Sequence, residues 1–419
     1  MNTYFKRVPH YFCFYLFFVW FFFMALAVAI NYYHGFVKES PYPLNSIFPA
    51  MKFGDFYGPM TQWLEFDGFG QSGYGVLYFP ATYLTLSTIL HLTDFSVSGS
   101  LQLSLLIWFF GSSFISWKFL RKDGFLHFLI IFCLIILSYP SIFIFATGNF
   151  EGWIGFLLML AGALSYFSKW NYFAIVVGFA GAMKGVPLIF ILLPLSILKF
   201  RLGVIVAFKT FFVTVGITIF SLFVLPGGYL ENGIAGVKAA ISGIAASQEK
   251  YADLMVNSIA GVHYGHSFLN AVHAVFGMEV MPSQKWGPIV FVVLISFLCV
   301  LLYLQRIAGT ETWIRLLSIG AIACLAVATS TDYKLVYLAP ALLLATKTDL
   351  SCKYKKTLLM LTVFAMAPKP WLYVGTDPFT NASVYLTSVA LLTIVTFCYL
   401  QAVNSLHEKK VTSSLQRAR

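Results

Sequence analysis

An acid and a lysine stand close together in Met51-Lys52-Phe53-Gly54-Asp55-Phe56-Tyr57-Gly58-Pro59. Phe53, Phe56, Tyr57, Trp63 and Phe66 crowd the stretch around Asp55. An apolar, aromatic setting withholds water from a carboxylate and makes it a better proton acceptor near neutral pH. A solvated loop acid is the plainer reading for an arbitrary aspartate. Glu65 and Asp67 follow in the same polar stretch, near enough to share a site with Asp55.

Four further polar groups interrupt apolar sequence. Lys184 breaks the run Tyr172–Leu198 and is followed by Gly185 and Pro187. Snorkelling to an interface explains such a lysine. So does a helix break that presents a cation to a phosphate, with the next helix opening at the proline. Glu151 closes Gly148-Asn149-Phe150-Glu151 and can cap a helix or touch a substrate. Asp332-Tyr333-Lys334 reads either as a self-neutralising ion pair or as a polar island with a purpose. His263, His266 and His273 lie in one region, but no carboxylate stands at zinc-site spacing, so no metal is expected. No Walker loop, G-x-S-x-G or H-E-x-x-H is present, which leaves nucleotide hydrolysis and the common hydrolase mechanisms without support.

The rest of the chain says where these groups sit. It is 59% hydrophobic and 10% charged, with mean hydropathy +0.81. Soluble domains carry about 25% charged residues. Apolar runs of helix length recur along nearly all 419 residues, which predicts an all-α, multi-span membrane protein. The net charge of +11 reflects lysines and arginines in short inter-helix loops, as the positive-inside rule requires, and calls for no nucleic acid. The six cysteines are scattered and read as core residues. Lys6 and Arg7 precede a long aromatic run without a cleavage site, which predicts a retained signal-anchor helix with a cytoplasmic N-terminus.

Apolar segments are predicted near 11–33, 76–95, 100–117, 125–146, 152–167, 172–184, 186–199, 204–225, 287–304, 312–330, 335–346, 357–373 and 383–402. The basic loops at 118–122, 199–201, 306, 347–356 and the tail fall on one side. The alternation then requires one of 76–95 and 100–117 to be partial, giving about twelve crossings. One membrane-embedded domain covers 1–405, with a first outer loop at 32–75 and a second outer region at 226–286. A cytoplasmic tail takes 406–419.

Taken in order, these pieces resemble the GT-C membrane glycosyltransferases, and among them the polyprenol-phosphate-sugar-dependent family GT87 (DUF2029). Gly54-Asp55-Phe56-Tyr57 resembles the family's acid–aromatic motif. Leu77-Tyr78-Phe79-Pro80 resembles its Tyr-Pro-Pro entry, with Phe79 for one proline. Gly148-Asn149-Phe150-Glu151 resembles Gly-Gln-x-Asn, with Glu151 where an amide is usual. Ala182-Met183-Lys184-Gly185-Val186-Pro187 resembles Ala-x-Lys-x-x-Pro and is the best match. Gly265-His266-Ser267-Phe268-Leu269 is similar to Asn-Gln-Ser-Leu. Tyr333-Lys334-Leu335-Val336-Tyr337-Leu338-Ala339-Pro340 is similar to a late histidine-containing stretch, with Tyr333 and Lys334 in place of histidine.

The resemblance implies a GT-C-like fold and transfer of a hexose, mannose first, from a polyprenyl-phosphate donor to a lipid or glycan acceptor on the extracytoplasmic side. It implies no metal and no cofactor. In this reading Asp55 is the base of an inverting displacement. Lys184, Lys52 and Lys334 are the cations for the donor phosphate. Tyr57, Trp63, Tyr78, Glu151 and His266 contact sugar, acceptor or isoprenoid. The expected setting is the bacterial plasma membrane. A transporter or lipid-linked-sugar flippase fits the composition too, but no internal repeat is evident. A polysaccharide polymerase or ligase would lean on outer-loop arginines, which the predicted outer regions lack.

Overall fold

The computed structural model describes residues 10–32, 56, 78–257, 265–269, 271–272, 283–327, 332–348, 352–367 and 382–417. Its described elements are helices. In chain order they are α1 (His10–Tyr32), α2 (Pro80–Leu92), α3 (Val97–Leu120), α4 (Phe125–Ile135), α5 (Tyr139–Thr147), α6 (Glu151–Tyr166) and α7 (Trp170–Met183). A 3-10 turn, Val186–Ile191, then leads into α8 (Leu192–Ile197), α9 (Phe200–Val224), α10 (Tyr229–Asn257), α11 (Ser283–Ala308) and α12 (Thr312–Ala326). A second 3-10 segment, Asp332–Leu338, precedes α13 (Ala339–Ala345), α14 (Lys353–Ala365) and α15 (Ala382–Arg417).

Local chemistry sets several boundaries. Ser96 caps α3 by accepting the Gly99 N–H at 3.0 Å. Prolines stand in the first turns of α2, α5 and the first 3-10 turn, where their missing N–H costs nothing. Gly148 ends α5 at φ 71°, a left-handed conformation suited to glycine.

Among the described residues, four helices are long and apolar enough to cross a bilayer: α3, α9, Trp286–Ala308 of α11 and Leu386–Lys410 of α15. The pair α4–α5, bent by 64°, makes a fifth if counted as one broken span. The chain is therefore a helical membrane protein. Its α9 presents Phe208, Phe212, Ile219 and Phe220 outward, and α11 presents Val292, Val293 and Val300. Apolar exposure on that scale is the surface a helix shows to lipid. The described residues supply four or five crossings by length and composition, against an expectation of about twelve for the chain. Helices such as α6, α7 and α12 hold 16, 14 and 15 residues, and at about 1.5 Å per residue they fall short of a hydrocarbon core of about 30 Å.

The outer region 226–286 contains a long amphipathic helix, α10. Residues 406–417 of the expected tail continue α15 to Arg417. Of the two segments from which one partial element was expected, α2 is the short one, at 13 residues.

The core centres on α12, whose residues Trp313 to Ala326 are all buried. Around it pack α11, α13, α15 and both 3-10 segments. The basic loops gather at one end. There Lys347 pairs with Asp123, and Lys355 meets Glu311 at 2.7 Å. Arg306 donates to Leu195 O at 2.8 Å, and Lys409 to Ile307 O at 3.1 Å. The loops that the positive-inside rule groups together are thus in contact. The C-terminus of α6 joins them through Tyr166, whose ring lies 5.1 Å from that of Phe119. Since α6 and α7 run antiparallel through the bundle, the start of α6 and the end of α7 lie together at the opposite end.

Candidate functional site

At that opposite end α6 begins with Glu151. The turn before it supplies a local brace: Asn149 Oδ1 accepts the Glu151 N–H at 2.9 Å. Phe150 is buried between two rings, with Phe56 stacked at 5.4 Å and Tyr78 edge-on at 5.2 Å. Lys184 follows α7 directly, in extended backbone at φ −158°, ψ 122°. The expected break is present, but the next element is a six-residue 3-10 turn. The α-helical N-terminus foreseen at Pro187 as an anion site does not form.

The break aims Lys184 at Glu151. Lys184 Nζ stands 2.6 Å from Glu151 Oε1. Oε2 accepts a hydrogen bond from Tyr337 OH at 2.9 Å. Glu151 is fully buried, whereas the Lys184 side chain keeps 18% exposure. The ammonium lies 5.8 Å from the Tyr78 ring centre and 5.5 Å from that of Tyr333, within cation–π range. A buried carboxylate of this kind persists because a cation and a phenol both serve it.

Four pieces of chain position the group. Thr82 of α2 donates to Met183 O at 2.7 Å, tying the segment after Tyr78 to the end of α7. Glu151 comes from α6 and Lys184 from the α7 break. Tyr333 and Tyr337 come from the second 3-10 segment, which packs on α6 through Val336 against Gly155. Lys334 in that segment is buried. Its backbone carbonyl accepts from the Cys324 thiol at 3.4 Å, and it interacts electrostatically with both Lys184 and Glu151.

Of the residues predicted from sequence, Tyr78, Glu151, Lys184 and Lys334 come together here. His266 is fully buried in the short segment 265–269. The hydrogen bonds and ion pair of Glu151 and Lys184 do not run to it. Asp55, Lys52, Tyr57 and Trp63 lie outside the described residues. The described neighbour of Asp55 in the chain, Phe56, is fully buried and stacked on Phe150, which itself adjoins Glu151.

Sequence reasoning gave no role to Tyr337, Tyr333 or Asn149. Asn149 had a signal, an amide just before a helix start. The two tyrosines had none beyond their place beside Lys334.

The fold and the site define a helical membrane protein with a buried, aromatic-flanked ion pair at one end of the bundle. No protein-family model matches the chain, and no curated protein and no solved structure matches it either.

Proposed function

We propose that the chain is a membrane glycosyltransferase that moves a hexose, mannose first, from a polyprenyl-phosphate donor to a lipid or glycan acceptor, with inversion at the anomeric carbon. The observation that carries the reading is the Glu151–Lys184 pair flanked by Tyr78 and Tyr333. It lies one stacked ring pair, Phe150 on Phe56, from the residue that follows Asp55 in the chain. The resemblance of these same segments to the GT87 family supplies the donor class.

The chemistry is a single displacement. Asp55 takes the proton of the acceptor hydroxyl, whose oxygen forms the new bond to the anomeric carbon. The bond from that carbon to the phosphate oxygen breaks, and the polyprenyl phosphate leaves with the electron pair. The donor phosphodiester carries one negative charge and the departing monoester two, so the site needs a cation at the leaving oxygen. Lys184 serves there, with Lys334 and Lys52 as further cations. Glu151 holds Lys184 in place when no phosphate is bound. Tyr78, Tyr57 and Trp63 face the sugar or the isoprenoid, and His266 the acceptor. The enzyme works at the outer face of a bacterial plasma membrane, with the basic end in the cytoplasm.

The test is sugar transfer from radiolabelled polyprenyl-phosphate sugars to cell lipid extract, wild type against Asp55→Asn. The proposal expects product with wild type and a loss of at least about 100-fold in the variant. Equal rates would remove Asp55 from the chemistry. Movement of a lipid-linked sugar across vesicles without product would instead favour a flippase.

A further inference from the structure

The long helix α10 has a face that the bundle does not cover. It follows α9 after one tight turn, in which Gly228 N–H donates to Leu225 O at 2.9 Å. Glu231 accepts the Gly227 N–H at 2.6 Å in the same turn. Beyond the kink at Gly233 (φ 57°, ψ −142°) the helix seats Gly236 against the backbone of Gly227 and Gly228, closer than any Cβ could approach. Ala240, one turn on, is buried in the cluster that holds Phe56, Phe150 and Leu225. These contacts fix the underside of α10 on the bundle at the end where Glu151 lies.

The adjoining stripe is apolar and open. Ile234, Val237, Ile241 and Ile244 recur at helical spacing, and Ile234 is 67% and Ile241 56% exposed. Lys238, Ser242 and several alanines occupy the remaining exposed side. The stripe continues a lipid-facing surface. Phe220, Phe223 and Val224 at the end of α9 are exposed, and Phe223 stacks on Tyr229, the first residue of α10, at 5.2 Å.

We propose that α10 beyond Gly233 lies in the membrane interface, with Ile234 and Ile241 in the headgroup–acyl boundary of the leaflet at the Glu151 end. Its partner is the lipid surface itself. A helix with an apolar stripe, a lysine on its flank and a spanning helix feeding it has the pattern of an interfacial segment. Lys238 reaches lipid headgroups while the isoleucines sit below them. The inference is independent of the proposed chemistry.

The experiment uses the full chain in nanodiscs of phosphatidylethanolamine and phosphatidylglycerol. A photo-crosslinking phenylalanine derivative is placed singly at positions 234, 241, 242 and 208. Position 208 is lipid-facing in α9, and position 242 lies on the polar side of α10. After illumination, mass spectrometry counts phospholipid adducts. The expected result is adducts at 234 and 241 comparable to those at 208 and at least about fivefold above 242. Adducts at 234 and 241 no greater than at 242 would overturn the inference. So would crosslinks from either position to a second copy of the chain, since the stripe would then be a dimer contact.

Discussion

Glu151 and Lys184 meet at 2.6 Å from the facing ends of two antiparallel helices. Neither end makes the contact alone. It exists because α7 stops one residue early and the chain turns extended at Lys184. The two partners are unequally placed: the carboxylate is fully buried, while the lysine side chain keeps 18% exposure.

The same asymmetry predicts unequal damage. Lys184→Met strands a fully buried carboxylate and should cost about 3–5 kcal/mol of stability. Glu151→Gln leaves a partly exposed ammonium beside two tyrosine rings and should cost less. The double variant should be more stable than Lys184→Met alone. Thermal unfolding in detergent measures all three, and a double variant below both singles would show that the two side chains do not act as a pair.

Tyr337→Phe removes the hydroxyl that serves Glu151 Oε2. A buried acceptor left without its donor costs about 1–3 kcal/mol. The loss should largely vanish when the same change is made on Glu151→Gln. Matching losses in both backgrounds would mean that the phenol stabilises something else.

Gly320 of α12 supports Tyr337 from behind. A Cβ there would come 2.6 Å from Tyr337 O, a clash with backbone that no rotamer relieves. Gly320→Ala should therefore push the second 3-10 segment off α12, at about 1–3 kcal/mol. It should also reduce activity together with Tyr337→Phe. Unaltered stability and activity in the alanine variant would contradict the packing.

At the basic end the charges differ in weight. Arg315 is buried and its guanidinium serves three backbone carbonyls, those of Ser196, Thr310 and Gln305. Arg315→Met should destabilise by several times the effect of Lys355→Ala, whose partly exposed pair with Glu311 is worth about 0–1 kcal/mol. Unfolding temperatures of the two variants decide this, and equal shifts would count against it.

Hydropathy made most helices legible. The predicted segments 11–33, 172–184 and 204–225 differ from α1, α7 and α9 by a few residues at each end. The break at Lys184 was visible because a charge, a glycine and a proline coincide there. The bend at Ser138-Tyr139-Pro140 was not separated from its apolar surroundings, although the proline was its signal. Helix α10 escaped because alanine and glycine dilute its apolar stripe below what a run of hydrophobic residues detects. The period of Ile234, Val237, Ile241 and Ile244 was its available signal. The partnership of Tyr337 with Glu151 was illegible, since it joins α6 to a 3-10 segment through tertiary packing alone. Lys184 was legible as a cation in an apolar run, while its pairing with Glu151 was not.

The most direct measurement is sugar transfer by the purified chain in proteoliposomes, with a polyprenyl-phosphate hexose as donor. Wild type is compared with Asp55→Asn, with the folded Glu151→Gln/Lys184→Met double variant and with Lys355→Ala as control. The account predicts that the control keeps wild-type turnover while the other two lose at least about 100-fold. Wild-type turnover in both site variants, or no product from wild type with any polyprenyl-phosphate sugar, would contradict it.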